Sequence, residues 1–120
     1  MTVRECYDSI GGDYLDIWNR IPKDDLILKF LKKYAAGKDF DAMLDAYERK
    51  DYQKLFETSH SIKGITLNLS LVKINQIITK ICEAVRNGEP DMDLTELIEL
   101  AKNEQRMIIE KISQLEVNDC

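Results

Sequence analysis

Leu71-Val72-Lys73-Ile74-Asn75-Gln76-Ile77-Ile78-Thr79-Lys80-Ile81-Cys82-Glu83-Ala84-Val85 decides how this chain folds. Leu71, Ile74, Ile77, Ile78, Ile81 and Val85 recur at steps of three and four, which gathers them on one face of a helix, whereas a half-buried strand would need strict alternation. The spacing predicts a helix from Ser70 to about Asn87, stopped by Gly88 and Pro90, with one side that must be buried against something.

The same period continues on both sides. Toward the amino end, a helix is expected over roughly Asp51 to Leu69, and another over Asp39 to Arg49 with Phe40, Met43, Leu44 and Tyr47 on one side. Asp24 and Asp25 open a further segment that carries Ile27, Leu28, Phe30, Leu31 and Tyr34 before Gly37 closes it. Ahead of Pro22, a short helix from Val3 to Ile10 should stop at Gly11-Gly12, and Asp13 can cap a second over Tyr14 to Asn19. Toward the carboxyl end, Asp93 caps a helix to about Leu115 whose apolar face is Leu94, Leu97, Ile98, Ala101, Ile108 and Ile109, and Val117-Asn118-Asp119-Cys120 reads as a frayed tail.

Sustained β-branched alternation is absent, so the chain is expected to be all-α. Long amphipathic helices on short links predict an antiparallel up-and-down four-helix bundle with additional short N-terminal helices. One domain is expected over residues 1–120, with its bundle core over about 24–115 and a helical cap over about 3–20.

At 120 residues and 44% hydrophobic composition, the chain can fill one modest core. A net charge of −5 repels phosphate backbones and anionic lipid, so neither nucleic acid nor membrane is an expected partner. Leu26-Ile27-Leu28 and Met107-Ile108-Ile109 fall far short of the roughly 20 apolar residues of a spanning helix. Residues 1–20 carry Glu5, Asp8, Asp13 and Asp16 and lack the basic start and apolar run of a secretory signal, so a cytoplasmic location is expected. Met1 just before the first helix leans toward a free-standing protein, and a monomer is expected. Cys6, Cys82 and Cys120 are odd in number and widely spaced, which suits reduced thiols and neither a disulfide framework nor a zinc knuckle. Cys82 falls in an apolar-periodic run and reads as packing.

Thr58-Ser59-His60-Ser61-Ile62-Lys63-Gly64 contains the sole histidine of the chain. At about 100° per residue, Leu55, Thr58, Ile62, Ile65, Thr66 and Leu69 lie opposite His60 and form the inward arc. Gln53, Phe56, Lys63, Gly64 and Leu67 fall beside His60 and should face outward with it. An imidazole with the ordinary pKa of about 6.5 is largely neutral near pH 7 and offers a ring nitrogen to phosphorus without a separate base. Lys63 brings an ammonium near phosphoryl oxygens, and Gly64, at a cost of about 1 kcal/mol of helix propensity relative to alanine, leaves clearance for a visitor.

Taken singly, these residues have plainer readings. A lone helical histidine is most often a surface residue, Lys63 a solvated lysine, and Gly64 a point of close approach for a neighbouring helix. Together on one face they point to phosphoryl chemistry. Gln53, Phe56 and Leu67 would then be partner-binding, although Phe56 and Leu67 could instead be covered by Tyr14, Ile17 and Trp18. Lys73 and Lys80 read as a solvated rim.

His60-x-x-Lys63-Gly64, then Asn68-Leu69 and an apolar-periodic helix ending Ala84-Val85-Arg86-Asn87-Gly88, resembles the histidine-containing phosphotransfer (HPt) domain family. The likeness extends back through Phe40, Leu28-Lys29-Phe30-Leu31, Arg20-Ile21 and Tyr14. The resemblance implies a four-helix bundle that relays a phosphoryl group between receiver-domain aspartates, with His60 phosphorylated, Lys63 stabilising the phosphoryl group and Gly64 leaving room for the receiver's acidic pocket. It implies response-regulator receiver domains and a hybrid histidine kinase as partners, with magnesium held by the receiver and no cofactor or metal held by this chain. The family commonly carries a second glycine six residues after the first, where this chain has Ser70, a residue able to cap the next helix.

Other chemistries fit less well. A histidine-kinase dimerisation helix usually places an acid after its histidine, where Ser61 and Ile62 stand here, and no glycine-rich nucleotide-binding segment is present, so a carrier rather than an enzyme with its own kinase or ATP site is expected. The ligand spacing of a metal enzyme is lacking. Ser59 and Ser61 point about 100° away from His60, too far round the helix to act as its nucleophile. The main alternative is a non-catalytic helical adaptor that docks proteins through the same face.

Overall fold

The computed structural model describes residues 1–118, with side chains as far as Leu115. Seven α-helices make up the described chain: α1 (Val3–Ser9), α2 (Tyr14–Arg20), α3 (Asp24–Ala36), α4 (Asp39–Glu48), α5 (Tyr52–Asn68), α6 (Val72–Ala84) and α7 (Thr95–Asn118). Among the described residues there is no strand, and no helix is long and apolar enough to cross a membrane.

Local chemistry sets most helix starts. Thr2 and Glu5 form a reciprocal capping box on α1, and the carboxylates of Asp13 and Asp51 accept from Asp16 N and Lys54 N at the starts of α2 and α5. Asp93 accepts from both the backbone N and the hydroxyl of Thr95, at 2.9 and 2.7 Å. No side chain caps α3.

Three helix ends share one geometry. After α1, α4 and α5 the chain takes a single left-handed residue, at Gly11 (φ 68°), Lys50 (φ 56°) and Ser70 (φ 57°). In each case the next N–H returns to a carbonyl of the last turn, with Gly12 N to Tyr7 O, Asp51 N to Ala46 O and Leu71 N to Thr66 O. This is the Schellman closure, usually made by glycine. Ser70 therefore ends α5 and does not begin α6. Contrary to the expected role as a cap, its hydroxyl makes no bond to α6, which starts at Val72 without a side-chain cap.

Other boundaries shift as well. α6 ends at Ala84 rather than near Asn87, because Val85 closes it and Gly88 adopts φ 105° in the following link. α7 continues to Asn118, past the end expected near Leu115, so Val117 and Asn118 belong to the helix, while the rest of the expected tail, Asp119 and Cys120, lies outside the described residues.

The helices pack in a chain of neighbours. α5 lies against α4 and α6, α6 against α7, and α7 against α3 and α1, while α1 also touches α2 and α3. Ile74, Ile78, Ile81 and Leu71 are fully buried beside Leu55, Ile62, Ile98, Ala101 and Ile108. Burying a side chain of this size contributes about 1.5–3 kcal/mol, and the recurrence of such residues on every long helix holds the assembly together. Phe30 and Ile109 depart from their expected stripes and remain 38% and 41% exposed. Cys6 is fully buried, and burial pushes its thiol up to about 11, so it stays protonated at neutral pH.

The amino-terminal helices are fastened to the α5–α6 turn. Tyr7 donates its hydroxyl to Leu69 O at 2.8 Å, Asp13 N donates to Ser70 O at 2.9 Å, and Lys73 N donates to Gly11 O at 3.1 Å. The Gly11-Gly12 pair is small for a reason beyond stopping α1: a Cβ on Gly12 would fall 2.6 Å from the Tyr7 ring.

Candidate functional site

α5 carries the site, and its inner face is built first. Leu55 and Ile62 are buried, and so are three hydroxyl residues, Thr58, Ser59 and Thr66. Each hydroxyl donates to a carbonyl one turn back: Thr58 to Lys54 O (2.8 Å), Ser59 to Leu55 O (2.7 Å) and Thr66 to Ile62 O (2.9 Å). Their polarity is thereby satisfied within the helix, which is how a segment this rich in Ser and Thr remains helical inside a core. Ile65 is only partly buried, at the edge of the inward arc.

His60 emerges on the other side. It is exposed, and among the described residues neither imidazole nitrogen has a hydrogen-bond or ion-pair partner. The Phe56 ring, a turn earlier, stacks against it with centroids 5.8 Å apart and planes 21° apart. Phe56 is half-buried against the core and so only partly matches its expected outward placement, whereas Gln53 and Leu67 are exposed, Leu67 by 63%. Tyr14 and Trp18 lean on each other, and Ile17 is buried, while Leu67 stays open.

Gly64 is exposed, and a Cβ added there would meet nothing within 4 Å. Among the described residues no neighbouring helix requires the glycine, so close helix approach does not account for it there. Lys63 is half-buried beside it. The carboxyl of Glu83 on α6 is held below the usual carboxylate range, first by its hydrogen bond to Arg86 and, to a smaller degree, by the Lys63 ammonium. The Lys63 backbone is pinned from α6 as well: Asn75 Nδ2 donates to Lys63 O at 2.9 Å and to Thr66 Oγ1 at 3.0 Å.

A second group of polar residues fixes the carboxyl end of α5. Arg20 donates to Asn68 O at 2.6 Å and to Ser70 Oγ at 2.7 Å, and Ser70 Oγ donates to Asp16 Oδ2 at 2.6 Å. The Ser70 hydroxyl and then Arg20 hold the Asp16 carboxyl below its usual range. Asp16 and Arg20 stand four apart on α2, a spacing that marks an ion pair, but nothing local in the sequence shows that the pair grips Ser70. Asn75 signals itself only as a polar residue beside an isoleucine stripe.

A sizeable cleft lies elsewhere. A cleft of about 460 Å³ between α3, α4 and α5 is lined by Ile21, Phe30, Tyr34, Phe40 and Ile65 among others, and it includes none of His60, Lys63 or Gly64. Among the described residues no group of three or more His, Cys, Asp or Glu side chains is placed to hold a metal ion. The histidine thus stands on an open helix surface, a setting that a large partner can reach and that gives a small molecule little enclosure. Comparison with known protein families, with characterised proteins and with solved structures returned no match.

Proposed function

We propose that this protein is a phosphorelay intermediate of the histidine-containing phosphotransfer type, taking a phosphoryl group on His60 from a receiver-domain aspartate and passing it to another receiver. The architecture proposed with it is an antiparallel up-and-down four-helix bundle in which α5, α6 and α7 form three sides. The consecutive α3–α4 pair forms the fourth, with α3 against α7 and α4 against α5, and α1 and α2 form the cap.

The observation that carries the reading is the pairing of an exposed imidazole with a glycine one turn on that no described residue of the chain crowds. A residue that costs about 1 kcal/mol of helix propensity, on a face where any side chain would fit, makes sense if a second macromolecule must come close there. In the proposed step an unprotonated ring nitrogen of His60 attacks phosphorus, the bond from phosphorus to the aspartyl oxygen breaks, and the aspartate leaves as its carboxylate. Lys63 offsets charge on the phosphoryl oxygens. A cytoplasmic, monomeric carrier without kinase activity of its own, meeting receivers and a hybrid histidine kinase, completes the proposal.

Incubation with a phosphorylated receiver domain tests it. Wild-type protein should discharge the receiver, Lys63→Ala should bind the receiver but take phosphate more slowly, and His60→Gln should take none. Equal labelling of wild type and His60→Gln would overturn the assignment. A protein that binds receivers but never carries phosphate would be the docking adaptor.

A further inference from the structure

We infer that Phe56 is a positioning residue for His60, an inference that rests on the carrier reading above. The phenyl ring is half-buried, with part of its surface against the core, while its face stacks on the imidazole at 5.8 Å and 21°. An exposed histidine on a helix ordinarily divides its time among about two χ1 wells and two ring flips, roughly four arrangements in all. A neighbouring ring anchored from below favours the arrangement in which the two faces meet, and offset stacking of this kind is a recognised attraction between aromatic groups. Stacking occupies one face of the imidazole and leaves the ring edge, where both nitrogens lie, uncovered. The gain is orientational, because the nucleophile spends less time in arrangements from which it cannot reach phosphorus.

A contact made for docking and a contact made for positioning predict different kinetics. Phosphoramidate is a small phosphoryl donor with no docking surface. In its reaction an imidazole nitrogen attacks phosphorus, and the P–N bond breaks with its electrons leaving on ammonia. The donor's own ammonium group supplies the hydrogens of that ammonia. If Phe56 positions His60, Phe56→Leu should slow phosphorylation by phosphoramidate and by a saturating phosphorylated receiver alike, by about fourfold, with the KM for the receiver unchanged. Phe56→Tyr, which keeps the stacking face, should restore the rate to within about twofold of wild type.

Leucine keeps an apolar group against the core, and an unchanged urea midpoint would separate the effect from unfolding. Proton NMR should show ring contacts between residues 56 and 60 in wild type and Phe56→Tyr and their loss in Phe56→Leu. Slowing of the receiver reaction alone, with a raised KM, would make Phe56 a docking contact and overturn the inference, as would unchanged rates with both donors. Failure of wild type to take phosphate from either donor would overturn the carrier reading itself, and the positioning role with it.

Discussion

The inner and outer faces of α5 follow opposite rules. Inward, Leu55, Thr58, Ser59, Ile62 and Thr66 are buried, and each hydroxyl among them is tied to a carbonyl of its own helix. Outward, His60, Gly64 and Leu67 are open, and the His60 ring stacks on Phe56. The two glycine positions sharpen the contrast: Gly12 is required because Tyr7 occupies the space a Cβ would need, whereas Gly64 faces empty space. One glycine is explained by the fold, and the other needs a reason from outside it.

The largest effect should come from the inner face. Leu55→Ala or Ile62→Ala should lower stability by about 2–5 kcal/mol in urea denaturation, through lost burial and the cavity left behind. His60→Gln should change it by no more than about 0.5 kcal/mol, as expected of an exposed site. If His60→Gln destabilised the protein as much as a core truncation, the division between the faces would fail.

Next comes the junction where α5 meets the amino-terminal helices. Ser70→Ala keeps a Cβ at φ 57° but removes the hydroxyl that bonds both Arg20 and Asp16, and should lower the urea midpoint. Ser70→Gly loses the same bonds but relieves the left-handed backbone, and should be the milder change by about 1 kcal/mol. Acid offers a second view of this junction. Asp16 has a lowered carboxyl pKa in the folded protein, so its contribution is present above the unfolded value, near 3.8, and is lost as pH falls through the folded one. Ser70→Ala should therefore show a smaller drop in thermal midpoint than wild type below about pH 4. Equal stability of the alanine and glycine variants would show that the backbone geometry carries no cost here.

A small gain in stability at Gly64 should be the most informative change. Gly64→Ala should raise stability by about 0.5–1 kcal/mol, since alanine suits a helix better and nothing obstructs it. The same change should slow transfer from a receiver, because the new methyl group stands where the partner is proposed to approach. Higher stability with undiminished transfer would remove clearance as the reason for the glycine.

How far the sequence reveals all this depends on the range of the interaction. The apolar steps of Ile74, Ile78 and Ile81, and the caps at Asp13, Asp51 and Asp93, act within a few residues and are legible directly. Thr2-Val3-Arg4-Glu5 spells a capping box that could have been read the same way. Ser70 is legible only as a helix cap, since its left-handed backbone and its bonds to Asp16 and Arg20 depend on α2 packing against a turn some 50 residues away. For the candidate site, periodicity placed His60, Gly64 and Leu67 on the open side, but it could not show that Phe56 turns partly inward and lies against the imidazole. That depends on side-chain rotation, which helical spacing does not encode.

The central claim concerns what His60 carries. After exposure to a receiver labelled on its aspartyl phosphate, the protein should hold phosphate that is stable in alkali, lost in acid, and located at residue 60 by mass spectrometry. Alkali-labile label, label on another residue, or no label at all from a receiver that binds this face would contradict the account.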